Sequence, residues 1–295
     1  MLPDFARLFD RPVIVLAAPR SGSTLLFETL SEAPDLWTVG GESHRFIEGL
    51  RRLSPMGGHV DSNRLDATHA NERIIAALRQ RFARRLLDRD GRKFFENRHI
   101  ERLRFLEKTP KNALRQPFLE QVFPGACYVF LFRDPRPNIS SMMEAWKSGH
   151  WVTYPRLRGW AGPPWSLLLP PGWRRMNRRP LADICAFQWA ATNNIILDDL
   201  QHLEPDRWIA CDYADLTERP SATITRLCEF AGLAVDDRLQ RRLGGELPLS
   251  RHTHTPPDPD KWRANEEEIL RVLDPGHDSG AAQAWERCRQ VLEGR

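Results

Sequence analysis

Four consecutive apolar residues, Val13-Ile14-Val15-Leu16, run into Ala17-Ala18-Pro19-Arg20-Ser21-Gly22-Ser23-Thr24 and then into Leu25-Leu26-Phe27-Glu28-Thr29-Leu30 at helical spacing. No other feature of the chain restricts its fold so tightly. A strand apolar at every position is covered on both faces, as in a parallel sheet sandwiched between helices. A tight Pro/Ser/Gly turn between strand and helix sets backbone N–H groups and hydroxyls at the positive end of a helix dipole, where an anion is held. The same junction also serves as a plain structural turn, and only its context separates the two readings.

Two further junctions repeat the pattern. Cys127–Phe132 reads as a buried strand, followed by Arg133-Asp134-Pro135 and a helix expected to start near Pro137 with proline at its first position. Trp208–Cys211 precedes a turn and a helix expected from about Pro220 to Ala231, stopped by Gly232. Within residues 70–89, Ile75, Leu78, Phe82 and Leu86 share one helical face with arginines opposite, which reads as a solvated basic surface. Strands alternating with helices predict an α/β fold whose ligand sits at the carboxyl ends of the strands. No linker-like stretch divides the chain, so one domain is expected over residues 1–295.

Composition removes several function classes. The net charge of +4 is too small for a nucleic-acid binder, though it leaves room for a local anion site. No apolar run approaches the ~20 residues of a membrane-spanning helix, and the first residues lack the basic and apolar regions of a secretory signal. The five cysteines are odd in number, widely spaced and never in a C-x-x-C pair, so neither a disulfide framework nor a zinc cage is expected. These features point to a reducing cytoplasm. The interval 146–179 stands apart: it holds five of the ten tryptophans, two Pro-Pro pairs and, from Arg156 to Arg179, six arginines without an acid. A loop so long and so aromatic is expected to be a packed lid or an interaction surface.

The Pro19–Thr24 turn is not a Walker A loop, because Gly22 is followed by Ser23 and the only cation, Arg20, precedes the glycine. A magnesium–nucleotide site is thereby disfavoured. Pro19-Arg20-Ser21-Gly22-Ser23-Thr24-Leu25 instead resembles the 5′-phosphosulfate loop of sulfotransferases that use 3′-phosphoadenosine 5′-phosphosulfate (PAPS). Arg133 to Ser141 is similar to that family's second signature, with an Arg at a strand end and a Ser eight residues later. Gly40-Gly41-Glu42-Ser43 and Leu106-Glu107-Lys108-Thr109-Pro110 resemble segments of the tyrosylprotein sulfotransferases, and Ser250 and Lys261 resemble a distal Ser and Lys. The resemblance spans roughly residues 12–265. The chain as given shows no N-terminal membrane anchor of the tyrosylprotein kind and carries the 146–179 insertion. A soluble, bacterial-type member of similar core is therefore expected.

The resemblance implies a P-loop-NTPase-like sheet and a site for PAPS, with 3′,5′-ADP as product and no metal. It implies that Arg20, Ser21, Gly22, Ser23, Thr24, Ser250 and Lys261 hold the phosphosulfate end, and that Arg133 and Ser141 hold the 3′-phosphate. Arg20 and Lys108 would carry the charge of transfer. Glu42 is the implied base, with His44 as competitor; His252 and His254 read as loop residues, and Glu28 and Glu107 as ion-pair partners. Lys108 is expected in a turn before a helix. The acceptor stays open among small molecule, carbohydrate, lipid and peptide. A P-loop-type kinase or NTPase, and a non-catalytic nucleotide module with a contact surface at 146–179, are the alternatives.

Overall fold

The computed structural model describes residues 5, 7–96, 100–251 and 258–294. Its strands are β1 (Val13–Ala17), β2 (Leu36–Trp37), β3 (Arg104–Lys108), β4 (Cys127–Phe132), β5 (Val152–Tyr154), β6 (Trp165–Ser166) and β7 (Trp208–Asp212). The helices that position the site are α1 (Ser23–Leu30), α2 (His44–Glu48), α3 (Glu72–Ala83), α4 (Gln116–Val122), α5 (Pro135–Ser148), α6 (Leu181–Leu200), α7 (Tyr213–Glu218) and α8 (Pro220–Ala231).

Five strands form one sheet in the order β2-β3-β1-β4-β7, and every neighbouring pair is parallel. The chain leaves β1 on one side for β2 and β3 and crosses to the other for β4 and β7. Such a reversal opens a crevice at the carboxyl ends of the strands. Side-chain alternation explains the cover on both faces. Ile14 and Leu16 join Phe105, Tyr128 and Phe130 in one core with Phe82 of α3, Phe118 of α4, Ile139 of α5 and Ile196 of α6. Val13, Val15 and Ala17 join Leu106, Val129 and Leu131 in a second core with Leu26 and Leu30 of α1 and Ile224 and Leu227 of α8.

The structure follows the sequence reading at β1, at β4 and at α8, which ends on a left-handed Gly232 at φ 65°. It corrects two junctions. α5 starts at Pro135 rather than Pro137, because Asp134 accepts the Arg136 backbone N–H at 2.9 Å and caps the helix two residues earlier. Lys108 closes strand β3 instead of lying in a turn before a helix.

The 146–179 interval is packed structure. β5 and β6 form an antiparallel ribbon, and Trp165 and Trp173 are fully buried. Trp146, Trp160, Trp165 and Trp173 meet edge to face at centroid distances of 4.8–6.3 Å. Each indole N–H has an acceptor: Gln188 Oε1 for Trp146 and the carbonyls of Pro163, Leu168 and Asp61 for Trp160, Trp165 and Trp173. Among the described residues, no helix is long and apolar enough to cross a membrane.

Candidate active site

Parallel strands bring all their carboxyl ends to one edge, and each strand of the main sheet delivers one chemical side chain there. Arg20 follows β1, Glu42 follows β2, Lys108 ends β3, Arg133 follows β4 and Tyr213 follows β7.

The turn after β1 is held in an unusual shape. Arg20 sits in the left-handed region at φ 66°, a conformation that non-glycine residues adopt chiefly where the surroundings enforce it. Gly22, at φ 87°, leads into α1, and a Cβ there would lie 2.3 Å from the Tyr213 ring, so only glycine fits. With no side chain at Gly22, the N-cap residue makes no side-chain hydrogen bond to the first-turn N–H groups of Ser23 and Thr24. The Ser21 hydroxyl turns inward, 2.7 Å from Ala18 O and 2.8 Å from Asn138 Oδ1. What Ser21 offers the cleft is thus its backbone rather than its hydroxyl. Asn138, on α5, also donates to Pro19 O at 2.7 Å, a latch the sequence reading missed although the residue stands inside the second motif.

Arg133 and Ser141 come from that same motif, and both touch Arg20. Arg133 Nη1 donates to Arg20 O at 2.8 Å, and Arg20 Nε donates to Ser141 Oγ at 3.3 Å, across 113 and 121 residues of sequence. The Arg133 guanidinium stacks 4.6 Å over the Tyr213 ring, and its Nε is buried without a partner among the described residues. Asp134 is engaged by Arg136 and the α5 cap. Burial pushes the Arg133 pKa down, and burial together with the Arg133 charge pushes Arg20 down as well. Two cations leaning on each other in a desolvated place favour an anion between them.

Lys108, only 3 % exposed, places Nζ 3.0 Å from Glu42 Oε1 and 3.1 Å from Thr24 Oγ1. Two of its three N–H donors are thereby assigned. His44 stands with Nδ1 3.8 Å from Glu42 Oε2, beyond hydrogen-bond reach. Burial, and next the Lys111 charge, lower the His44 pKa, which keeps its imidazole neutral near pH 7. Trp151 is the tryptophan of the insertion that reaches this edge, its ring 4.9 Å from the Arg20 guanidinium carbon.

Behind Glu42 lies a second polar cluster. Glu48 Oε1 accepts from Lys111 Nζ at 2.8 Å, Arg115 Nη2 at 2.8 Å and Asn63 Nδ2 at 3.0 Å, and Tyr154 OH of β5 lies 3.0 Å from Lys111 Nζ. Burial lowers the Lys111 pKa to about 8 against the opposing pull of Glu48. This cluster ties the insertion to α2 and to the segment after β3.

Of the acidic residues expected to pair with cations, Glu28 does so, 2.5 Å from Arg251 Nε. Glu107 does not follow that expectation: its Oε1 is held by Ser43 Oγ at 2.5 Å, Thr109 Oγ1 at 2.7 Å and Asn112 Nδ2 at 3.0 Å. Complete burial raises its pKa to about 7 despite those hydrogen bonds. A carboxyl whose folded-state pKa is raised stabilises the fold below its unfolded value, and that contribution is lost as pH rises to the folded value. Relative to Glu107→Gln, the wild type is expected to lose stability between about pH 4.5 and 7 and then level off. Urea unfolding of both proteins across that range checks the sign; a flat difference rules it out.

Ser250 is half-buried, and its neighbour Arg251 donates to Gly40 O at 3.0 Å, which brings this segment to the Glu42 loop. Lys261 is exposed and opens a 3-10 helix, Lys261–Asn265, docked on α5 through Asn265 Nδ2 and Ser140 Oγ at 3.0 Å. His252 and His254 lie outside the described residues.

Comparison with known proteins agrees with this architecture. Residues 12–237 match a model of the Sulfotransferase family. Over 144 residues the chain is 27% identical to human protein-tyrosine sulfotransferase 1, taking in 48% of this chain and 36% of that protein. Over 243 residues it is 21% identical to protein-tyrosine sulfotransferase A of Caenorhabditis elegans, taking in 81% of this chain and 55% of that one. The chain thus matches only about a third to a half of the length of these relatives. In fold it is similar to the sulfotransferase domain of the curacin biosynthetic pathway, with a TM-score of 0.52, 20% identity and coverage of 97% and 98% of the two chains. The sulfotransferase domain of the Synechococcus PCC 7002 olefin synthase gives 0.52 at 22% identity, with 97% of each chain covered. With most of its length, including β1 to β7, inside the matched region, the chain belongs to the sulfotransferase family.

Proposed function

We propose that this protein transfers a sulfuryl group from PAPS to a hydroxyl or amine acceptor and releases 3′,5′-ADP. The observation that carries this reading is the convergence of Arg20, Lys108 and Arg133 on one sheet edge with Glu42 beside them. PAPS supplies the sulfuryl group and a leaving group with phosphates at both ends. The donor set fits it: guanidinium, ammonium, helix-start N–H and hydroxyl groups are all donors for anionic oxygens.

In this reading Arg133, with Ser141, grips the 3′-phosphate, its buried Nε adding a further donor. Arg20, Lys108 and the N–H groups of Ser23 and Thr24 hold the phosphosulfate end, where Ser250 and Lys261 are assigned as well. Arg20 and Lys108 stabilise the charge that grows on the bridging oxygen. Glu42 takes the acceptor proton while the acceptor oxygen or nitrogen bonds to sulfur and the bridging S–O bond breaks. Most of the rate comes from alignment and fixed charge, as in phosphoryl transfer. Trp151, stacked on Arg20, forms a wall of the acceptor side.

Calorimetry with 3′,5′-ADP, 5′-AMP and ATP in magnesium-free buffer tests the reading. The 3′-phosphate is expected to tighten binding about 100-fold or more, since charge-assisted hydrogen bonds contribute about 1.5–3 kcal/mol each. Equal affinity for the three would overturn it, and magnesium-dependent ATP turnover would favour a kinase or NTPase.

A further inference from the structure

Glu107 is wholly buried, next to Lys108 in sequence, and takes no part in the chemistry above. Its Oε2 has no hydrogen-bond partner among the described residues, an arrangement with a real desolvation cost. Its Oε1 gathers three donors on one atom: Ser43, Thr109 and Asn112. Thr109 in turn accepts the Ser43 backbone N–H at 2.8 Å. Ser43 is thus held twice, through its hydroxyl by Glu107 and through its amide by Thr109.

Ser43 is covalently joined to Glu42. Successive residues of a strand point to opposite faces. At the end of β3, Lys108 therefore grips Glu42 from one face while Glu107 grips Ser43 from the other. Both grips cross more than sixty residues of sequence, 66 for Lys108 to Glu42 and 64 for Ser43 to Glu107.

We propose that Glu107 is a positioning residue that acts through Ser43 and Thr109 to set Glu42 against Lys108, serving turnover rather than donor binding. The proposal rests on the reading of Glu42 as the proton acceptor. The acceptor atom Oε1, more than the charge, does the gathering. Glutamine keeps such an oxygen; alanine removes it.

The experiment compares Glu107→Ala, Ser43→Ala and Glu107→Gln, alone and combined with Glu42→Gln. Turnover is read as release of labelled sulfate from PAPS to water, donor-site integrity as the 3′,5′-ADP Kd, and folding as thermal unfolding. A displacement of about 1 Å at a reacting group is enough for roughly 100-fold, so the alanine variants are expected to lose about 10- to 100-fold in sulfate release. Their 3′,5′-ADP Kd is expected within about twofold of wild type, and the loss should shrink below about twofold in the Glu42→Gln background. Glu107→Gln should restore most of the rate. Equal losses with and without Glu42, a weakened Kd, or a glutamine variant no better than alanine would each overturn the proposal.

Hydrogen exchange at the Ser43 amide judges the same idea without turnover. Glu107→Ala should speed it about tenfold or more, Glu107→Gln should not, and unchanged exchange in both sinks the proposal. A wild type that binds 3′,5′-ADP no more tightly than 5′-AMP would count against the function proposed above, while this exchange still decides the role of Glu107.

Discussion

Glu42→Gln is expected to lower sulfuryl transfer from PAPS about 10²–10⁴-fold, the usual contribution of a positioned base. The 3′,5′-ADP Kd should stay within about twofold, because Arg133, Ser141 and the 19–24 turn are untouched. Glutamine keeps an oxygen for Lys108 Nζ, now 3.0 Å from Glu42 Oε1, so the local structure is retained while proton acceptance is lost. His44→Gln provides the contrast. Its imidazole is neutral near pH 7 and so competent as a base, but it stands 3.8 Å from Glu42 rather than on the Lys108 contact. If His44→Gln shows the large loss and Glu42→Gln does not, the base is His44.

Arg133→Lys is expected to weaken 3′,5′-ADP binding by about 100-fold while changing 5′-AMP binding little. Lysine keeps the charge but loses the planar fork that meets a phosphate with two parallel hydrogen bonds. It also loses the stack on Tyr213 and the donation to Arg20 O that holds the turn. The comparison of two nucleotides separates these effects. Damage to the turn alone would weaken both ligands alike, whereas loss of a 3′-phosphate contact weakens only the one that carries it. Equal weakening would remove Arg133 from the 3′-phosphate role.

The elements visible in the sequence are those whose pattern is local. β1, β4 and α8 show themselves through uninterrupted apolar runs, or through a helix bounded by Pro220 and Gly232. β3 was hidden because Arg104-Phe105-Leu106-Glu107-Lys108 ends in two charged residues, which read as surface. Both are buried, one by Ser43, Thr109 and Asn112 and the other by Glu42 and Thr24. α6 was hidden for the opposite reason. It is covered on nearly all sides, from Ala182 and Ile184 to Trp189 and Leu200, so no polar face alternates with an apolar one. The tryptophans of 146–179 are compositionally plain, but composition could not tell Trp165 and Trp173, packed inside, from Trp151, laid on Arg20.

The sequence by itself determined the α/β class, the strand–turn–helix junction at Pro19–Thr24, and the Arg133 and Ser141 spacing, because strand, turn and helix signals act over a few neighbouring residues. Only the tertiary structure decided that Ser21 faces inward, that Lys108 meets Glu42, and that Glu107 holds Ser43 rather than a cation. Those outcomes depend on which strands lie side by side in the β2-β3-β1-β4-β7 order, which brings residues more than sixty positions apart within hydrogen-bond distance. The Pro19–Thr24 turn is therefore one wall of the candidate site, and the sheet order supplies the others.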